Sequence, residues 1–476
     1  MKWVEGWDRE QVHWLPERVE DYVGADNPVR FLDAFVAGLD LRAAGFVFPK
    51  EDARGRGRPA YRPGDLLKLY LYGYLYQVRS SRRLEAECRR NLEVIWLLRR
   101  LEPDFKTIAD FRRDNASAFK AVVRQFTRLC HELELFGGEL IAIDGTKIKG
   151  QNAPGKNYSQ NRLEKQLQAL EGRLEEYLAA LDQADQQPGP ATVNPEQLRE
   201  RIARLRERQR RTQAQLRALQ QSGQGQLSET DPDSRGMRQG GRHVVGYNVQ
   251  GAVDARHHLL VAVEATNSGV DQGQLAAIAA VTKAELKLER ADLVADAGYY
   301  KGEDISVCQR LGFEVHLPTP NQSPSERAGL YGKAAFQYDH CQDAYLCPAG
   351  ARLKRRRSML REHHRGQVAN YENPQACAHC QLKARCTRVA HRTVSRSEHE
   401  EAMQRTAQAV VAAPQKLAAR KTLIEHCWGT LKWLLPGGFL VRGLKHVAAE
   451  ASLAHWAYNF KRALAVVGLK KLLAAI

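Results

Sequence analysis

The stretch that most constrains this chain is Gly138-Glu139-Leu140-Ile141-Ala142-Ile143-Asp144-Gly145-Thr146-Lys147-Ile148-Lys149. An uninterrupted apolar run of strand length reads as a strand covered on both faces. It delivers one carboxylate, Asp144, to its carboxyl end, where Gly145 lets another chain approach closely. Alone, the pattern also fits a plain turn, because Asp before Gly is a common turn former. Two later stretches change the balance. Ala291 to Tyr299 repeats the apolar strand, then Asp296, a small residue and Gly298. Leu423 to Trp433 sets Glu425 inside an otherwise apolar, helix-compatible run. Two aspartates at strand ends and a glutamate on a helix can converge on hard divalent cations, which prefer carboxylate oxygen.

At 476 residues the chain is too long for one ordinary core, so several domains are expected, and 43% hydrophobic residues is enough to fold them. Lys and Arg number 72 against 55 Asp and Glu, a net charge of +17 spread along most of the chain. That balance favours polyanions as partners, although a generally basic proteome would give it too. Residues Met1 to Glu10 hold no continuous apolar run, so no signal peptide is expected. No run reaches the roughly 18 apolar residues needed to cross a bilayer. The expected location is cytoplasmic, at the nucleoid, with no membrane partner. Nine unevenly spaced cysteines do not suggest an extracellular disulfide framework.

From Asn27 to about Phe136 the pattern is helical. Asn27 before Pro28 makes a helix start, with Phe31, Leu32, Phe35, Val36 and Leu39 at core spacing. Short helices with exposed Arg fit a helix-turn-helix type of DNA reader, and equally a helical packing domain with solvated Arg. Tyr70, Tyr72, Tyr74 and Tyr76 alternate, which scatters them over both faces of a helix and favours packing. Leu163, Leu167, Leu170, Leu174, Tyr177 and Leu181 step by four and three, as do Leu198, Ile202, Leu205, Gln209, Thr212, Leu216 and Leu219. That predicts two coiled-coil helices, broken at Gln187-Pro188-Gly189-Pro190 and restarted by Asn194-Pro195. The resulting antiparallel hairpin, with Arg199 to Arg211 along its second helix, would clamp DNA, pair with a second subunit, or simply present a solvated face.

A Ser/Gly-rich linker follows. Val244 to Asp254 and Leu259 to Thr266 then read as a hairpin turning near Ala255 to His258, Asp271 opens a helix, and the Asp296 strand comes next. Strand, hairpin, helix, strand is the order of a ribonuclease H-like fold, in which the Asp296 strand lies beside the Asp144 strand. Further on, Cys347, the Cys377-Ala378-His379-Cys380 knuckle and Cys386 have the spacing of a structural zinc site. Cys341 competes with Cys347, His379 with one thiolate, and free cytosolic thiols are the alternative. Arg352, Lys354, Arg355, Arg356 and Arg357 form a basic strip among them.

The blocks IDGTKIKG, NVQGAVD, ADAGYY and IEHCWGTLK, in that order, resemble the DDE transposases of bacterial insertion sequences, most closely the group named in words IS-eleven-eighty-two. The resemblance runs from Asp26-Asn27-Pro28 to Tyr458-Asn459. It implies that Asp144, Asp296 and Glu425 are the catalytic acids and hold two Mg2+ (or Mn2+) ions, with Asp144 between them. The activity implied is cleavage at the transposon ends to expose a 3′-hydroxyl, then attack of that hydroxyl on target DNA. Double-stranded DNA is the implied partner, as terminal inverted repeats and as target, with a homodimer in the synaptic complex. Expected DNA contacts are Arg79, Arg82, Arg83, Arg112 and Arg113 in the helical part, then Lys147, Lys149, Arg355, Arg356, Lys421, Lys432 and Arg442. Glu425 and Lys432 keep the family's Glu-x6-Lys spacing, whereas Lys421 stands for the expected Arg and Ala418 for the expected Tyr. Trp428 is expected to pack, with stacking on a flipped base as the alternative.

The expected architecture is α/β and multi-domain, a ribonuclease H-like mixed sheet flanked by helices. Residues 1–136 form an all-α DNA-binding domain, and 137–155 with 241–320 the first part of the core. The coiled-coil hairpin spans 156–222, the linker 223–240 and the zinc-binding insertion 321–400. Residues 401–476 are C-terminal helices of the core carrying Glu425. Two rival readings are a non-catalytic DNA-binding derivative and a nuclease of the same fold that does not rejoin strands.

Overall fold

The structure is a computed structural model, and it describes residues 18–48, 60–186, 195–320, 324–356 and 368–476. The expected break at 187–190, the Asn194 cap, Arg357 and the first ten residues lie outside the described residues.

The chain opens with helices α1 (Val29–Ala37), α2 (Pro63–Leu75), α3 (Ser81–Arg90), α4 (Leu92–Leu97), α5 (Phe105–Asp114) and α6 (Ala118–Glu132). Local chemistry sets their starts. Pro63 occupies the first turn of α2, and the side chains of Asn91 and Asp104 accept backbone N–H groups that α4 and α5 leave unpaired. Asn27 acts similarly, its Oδ1 accepting from Val29 N–H at 2.9 Å. Tyr70, Tyr72 and Tyr74 are buried and Tyr76 is exposed, so this stripe is packing.

Strand β1 (Leu140–Lys149) follows. Short strands β2 (Asn157–Ser159) and β3 (Gln226–Ser228) pair at the base of two long helices, α7 (Gln160–Gln186) and α8 (Pro195–Ser222). Gln166 meets Thr212 at 3.5 Å and Gln209 meets Glu171 at 3.4 Å, so the two helices run antiparallel. Leu163, Leu170, Leu198, Ile202, Thr212 and Leu219 are buried along them.

The expected linker is folded. It carries β3 and β4 (Arg235–Gln239), and β4 pairs with β5 (Arg242–Asp254) through a two-residue turn in which Gly240 and Gly241 have φ of 53° and 77°. Positive φ at both central residues is what such a hairpin turn demands. Asp231 in this segment is fully buried, accepting from Tyr247 Oη at 2.7 Å and Gly443 N–H at 3.0 Å.

Then come β6 (Leu260–Thr266), α9 (Leu275–Leu286), β7 (Ala291–Val294), α10 (Gly302–Arg310) and β8 (Phe313–His316). The sheet runs β6-β5-β1-β7-β8, with β4 also on β5; β5 lies antiparallel to β1 and β6, whereas β7 and β8 run parallel to β1 and β7 respectively. Asp144 pairs with Gly251, and Ala142 with Val294, so continuing the register by two residues brings Asp296 alongside Asp144. The crossover from β6 through α9 is what returns the chain to the free edge of β1.

After α11 (Pro324–Arg327), a second sheet forms from β9 (Gln337–Asp339), β10 (Ala344–Leu346), β11 (Arg352–Arg355), β12 (Val368–Glu372) and β13 (Thr393–Ser397), with α12 (Pro374–Ala378) and α13 (Lys383–Cys386) between the last two strands. It has its own small core of Phe336, Tyr345, Leu353, Tyr371 and Val394. Helices α14 (Glu400–Ala412), α15 (Pro414–Leu434) and α16 (Leu444–Ala474) complete the chain.

The N-terminal helices do not stand apart as a separate core. Phe31 stacks on Phe460 of α16 at 4.9 Å between centroids, and Phe126 meets Trp456 at 5.8 Å. Arg79, expected to touch phosphate, is 3% exposed and pairs with the fully buried Glu450 at 2.7 Å, also donating to the Gly438 carbonyl at 2.9 Å. A guanidinium committed to a buried carboxylate is not available to DNA, so that expectation is corrected.

Candidate active site

Asp144 does not end its strand as expected: β1 runs on to Lys149, and Asp144 lies in its middle, two residues past the last pair with β7, while Asp296 lies two residues past the end of β7. Each accepts from a nearby backbone N–H: Asp144 Oδ1 from Gly145 within the strand at 2.8 Å, and Asp296 Oδ1 from Gly298 in the turn after β7 at 2.8 Å. Burial is the main cause that pushes the Asp144 carboxyl up to about 6; the Gly145 N–H and Arg420 oppose the shift, while Asp296 and Asp271 add to it. Two carboxylates sharing one partly buried site repel each other, and a cation relieves both.

Helix α15 crosses this site and supplies the positive charge. Arg420 Nη1 lies 3.3 Å from Asp144 Oδ2. Desolvation pushes the Lys432 ammonium below its ordinary value, and Asp144 opposes that shift. The contact between α15 and the sheet depends on Gly251: a Cβ there would lie 2.7 Å from the ring of Trp428, so Trp428 seats directly over the strand beside Asp144. At 6% exposure Trp428 packs, leaving no face for a base.

Glu425 rides between Arg420 and Lys432 on the same helix and is exposed. Among the described residues, the ligand atoms of Asp144, Asp296 and Glu425 are not all within 4.8 Å of one another. The group that does meet that distance is Asp292, Glu314 and His316. There Lys416 Nζ already sits 2.7 Å from Asp292 and His316 Nε2 2.9 Å from it, an internally neutralised network on β7 and β8.

The expected DNA-contact residues divide by exposure. Lys147 is buried, its side chain 7% exposed and paired with Asp271 at 2.9 Å, which corrects its expected role on DNA. Arg112 is half-buried with its guanidinium over the Tyr70 ring at 5.8 Å. Arg82, Arg83, Arg113, Lys149, Lys421, Lys432 and Arg442 are exposed. Of these Arg82 lies over Phe105, and Arg113 is held by Asp110 and Asp114. Arg355 and Arg356 are exposed beside Asp343 and Glu372.

Cys347, Cys377, Cys380 and Cys386 line one cavity of the second sheet together with His379. Burial raises the Cys386 thiol, and Cys377, Cys347 and Cys380 add to that shift. Cys341 is exposed in the turn between β9 and β10, away from this cavity.

The sequence reading missed Arg420 and Asp271. It placed the cation of α15 at Lys421 and took Asp271 for a helix start, whereas α9 begins at Leu275 and the Asp271 carboxylate turns back under Gly145. A signal for Arg420 lay in helical phase: it stands four, seven and eleven residues before the buried Ile424, Cys427 and Leu431, within about 40° of each at 100° per residue.

Two stretches of the chain match models of known families. Residues 17–114 match a transposase domain (DUF772), and residues 346–464 match a transposase DDE domain. By these domains the chain is a transposase. Their combination, on either side of a sheet with one acid on β1 and another just after β7, supports the DDE type that insertion sequences encode. The second match contains Glu425, Arg420, Lys432 and the four cavity cysteines, while Asp144 and Asp296 lie between the two matches. A search of curated proteins finds no match to the chain.

Proposed function

We propose that this transposase binds the terminal inverted repeats of its element, cleaves the transposon ends and joins the 3′-hydroxyl to target DNA, using Asp144, Asp296 and Glu425. The observation that supports the reading most is the placing of Asp144, midway along β1, beside the turn after β7 that carries Asp296, in a sheet ordered β6-β5-β1-β7-β8, the ribonuclease H-like order. The donors there are carboxylate oxygens, which fit Mg2+ or Mn2+ rather than a thiophilic metal. Asp144 and Asp296 would hold such ions, with Glu425 brought in from α15, and bound divalent ions would activate the attacking oxygen and stabilise the leaving one.

The chain's own residues have separable tasks in this reading. Arg420 balances Asp144 in the metal-free chain. Lys432, seven residues after Glu425 and thus on nearly the same helix face, meets the phosphate at the transposon end. Exposed Arg82, Arg83 and Arg113 hold the terminal repeat by its backbone, and Lys149, Lys421, Arg442, Arg355 and Arg356 extend that path. The α7–α8 pair acts as a coiled-coil arm, and synapsis of two ends brings two chains together as a homodimer in the cytoplasm, at the nucleoid. Among the described residues no helix is long and apolar enough to cross a membrane.

The test mixes the full chain, a labelled duplex bearing the element's terminal repeat, target plasmid and Mg2+. Joined product is expected. Cleavage without joining indicates a nuclease of this fold, and binding without cleavage a DNA-binding derivative.

The thiol cavity is the basis for a structural zinc ion on Cys347, Cys377, Cys380 and Cys386, where four filled positions leave no place for substrate. Elemental analysis should find one zinc per chain. Cys377→Ser with Cys380→Ser should remove it and speed hydrogen exchange across β9–β13 while the central sheet stays protected; retained zinc in that variant would dismiss these ligands.

A further inference from the structure

Asp271 sits in the turn between β6 and α9, where it is saturated by donors. Its Oδ1 accepts from Lys147 Nζ at 3.0 Å, Asn248 Nδ2 at 2.7 Å and Gln250 Nε2 at 2.8 Å, and its Oδ2 from Lys147 Nζ at 2.9 Å. Lys147 is on β1 with Asn248 opposite it on β5, and Gln250 is opposite Gly145, so one carboxylate ties the two central strands together beyond their backbone ladder.

The tie continues to the turn that carries Asp296. Gln250 Oε1 accepts from Tyr299 Oη, Gln272 Nε2 donates to the Tyr300 carbonyl at 3.2 Å, and a Cβ on Gly298 would stand 3.9 Å from Asp271 Cβ. Gly145 makes this arrangement possible, since a side chain there would run into Gln250 and Asp271. Gln272 is exposed, but the groups that hold Asp271 do not face solvent as a DNA contact would, Asn248 and Gln250 being buried. Lys147 and Tyr299 are buried, and Asp271 exposes only 20% of its side chain.

We propose that Asp271 is a positioning residue for the acid pair: by holding the Lys147 ammonium and the Gln250 amide beneath Gly145, it fixes the Asp296 turn against the middle of β1. The inference rests on the reading of those two aspartates as a metal-binding pair.

The test is titration of the full chain with Mn2+, followed by the electron paramagnetic resonance signal of the free ion. Four variants enter it: Asp144→Asn, Asp271→Asn, Lys147→Met, and Lys147→Met with Asp271→Asn. Asp271→Asn is expected to weaken Mn2+ binding about tenfold, as loss of a group supporting metal ligands does. The double variant, with neither charge left to strand the other, should return to within about threefold of the unmodified chain. If Asp144→Asn binds Mn2+ normally, the pair is not the metal site and the underlying reading fails. If Asp144→Asn is weak but Asp271→Asn is normal, the positioning role is overturned. A double variant weaker than Asp271→Asn also overturns it, because the loss would then not come from a stranded Lys147 charge.

Discussion

Asp144→Asn is expected to lower cleavage of a transposon-end duplex by on the order of a thousandfold or more, because an amide cannot supply the charged oxygen that the chemistry needs. DNA affinity should hardly change, since the exposed arginines and lysines proposed to meet phosphate are elsewhere. Stability should move the other way. Burial pushes the Asp144 carboxyl up to about 6, above its unfolded value. A carboxyl shifted in that direction favours the folded state only while protonated, so its contribution is present below about pH 4 and lost as pH rises through about 6. At pH 7.5 the ionised group therefore destabilises the metal-free chain, by about 2 kcal/mol for a site this buried. The neutral variant should melt higher than the unmodified chain at pH 7.5, and the difference should vanish by about pH 4. A dead, more stable variant separates loss of chemistry from loss of fold. Full activity would remove Asp144 from the mechanism, and a lower melting point at pH 7.5 would refute the electrostatic account.

That combination of cost and function explains which parts of the site could be seen in the sequence. Asp144 and Asp296 announce themselves because each ends an apolar run, and a charged group after a buried strand is conspicuous whatever the rest of the chain does. The β5–β6 hairpin was legible for the same reason, its turn falling between Asp254 and Leu260 as the pattern suggested. Asp271 was not legible. An aspartate a few residues before an apolar helical run looks like a cap, and whether its carboxylate turns toward that helix or toward Lys147 depends on β1 and β5, which are far away in sequence. Segment 223–240 reads as a linker by composition, yet Gly240-Gly241 is a hairpin turn. Buried Asp231 and its neighbour Asp233 meet the backbone N–H groups of Gly443 and Leu444 at the start of α16. Helical phase does not choose between Lys421 and Arg420, since one stands seven residues before Trp428 and the other seven before Cys427, and only the docking of α15 on the sheet turns Arg420 to Asp144.

The same distance effect governs the second large expectation, which concerns Glu450. Its carboxylate pairs with Arg79 on one oxygen and accepts from Leu440 N–H at 2.8 Å on the other, and both charged groups are almost wholly buried. The loop it holds, 436–441, also touches the end of β1, where Phe439 N–H donates to the Lys149 carbonyl at 2.9 Å. Glu450→Leu would leave the Arg79 guanidinium uncompensated inside the protein, a loss of about 3–5 kcal/mol. Arg79→Met combined with Glu450→Leu removes both charges, and denaturant midpoints should show the pair more stable than Glu450→Leu alone. Equal midpoints would mean that Arg79 escapes to water when its partner is gone. Because that loop ends α15, the single variant should also loosen the helix bearing Arg420, Glu425 and Lys432, and so impair cleavage more than it impairs DNA binding.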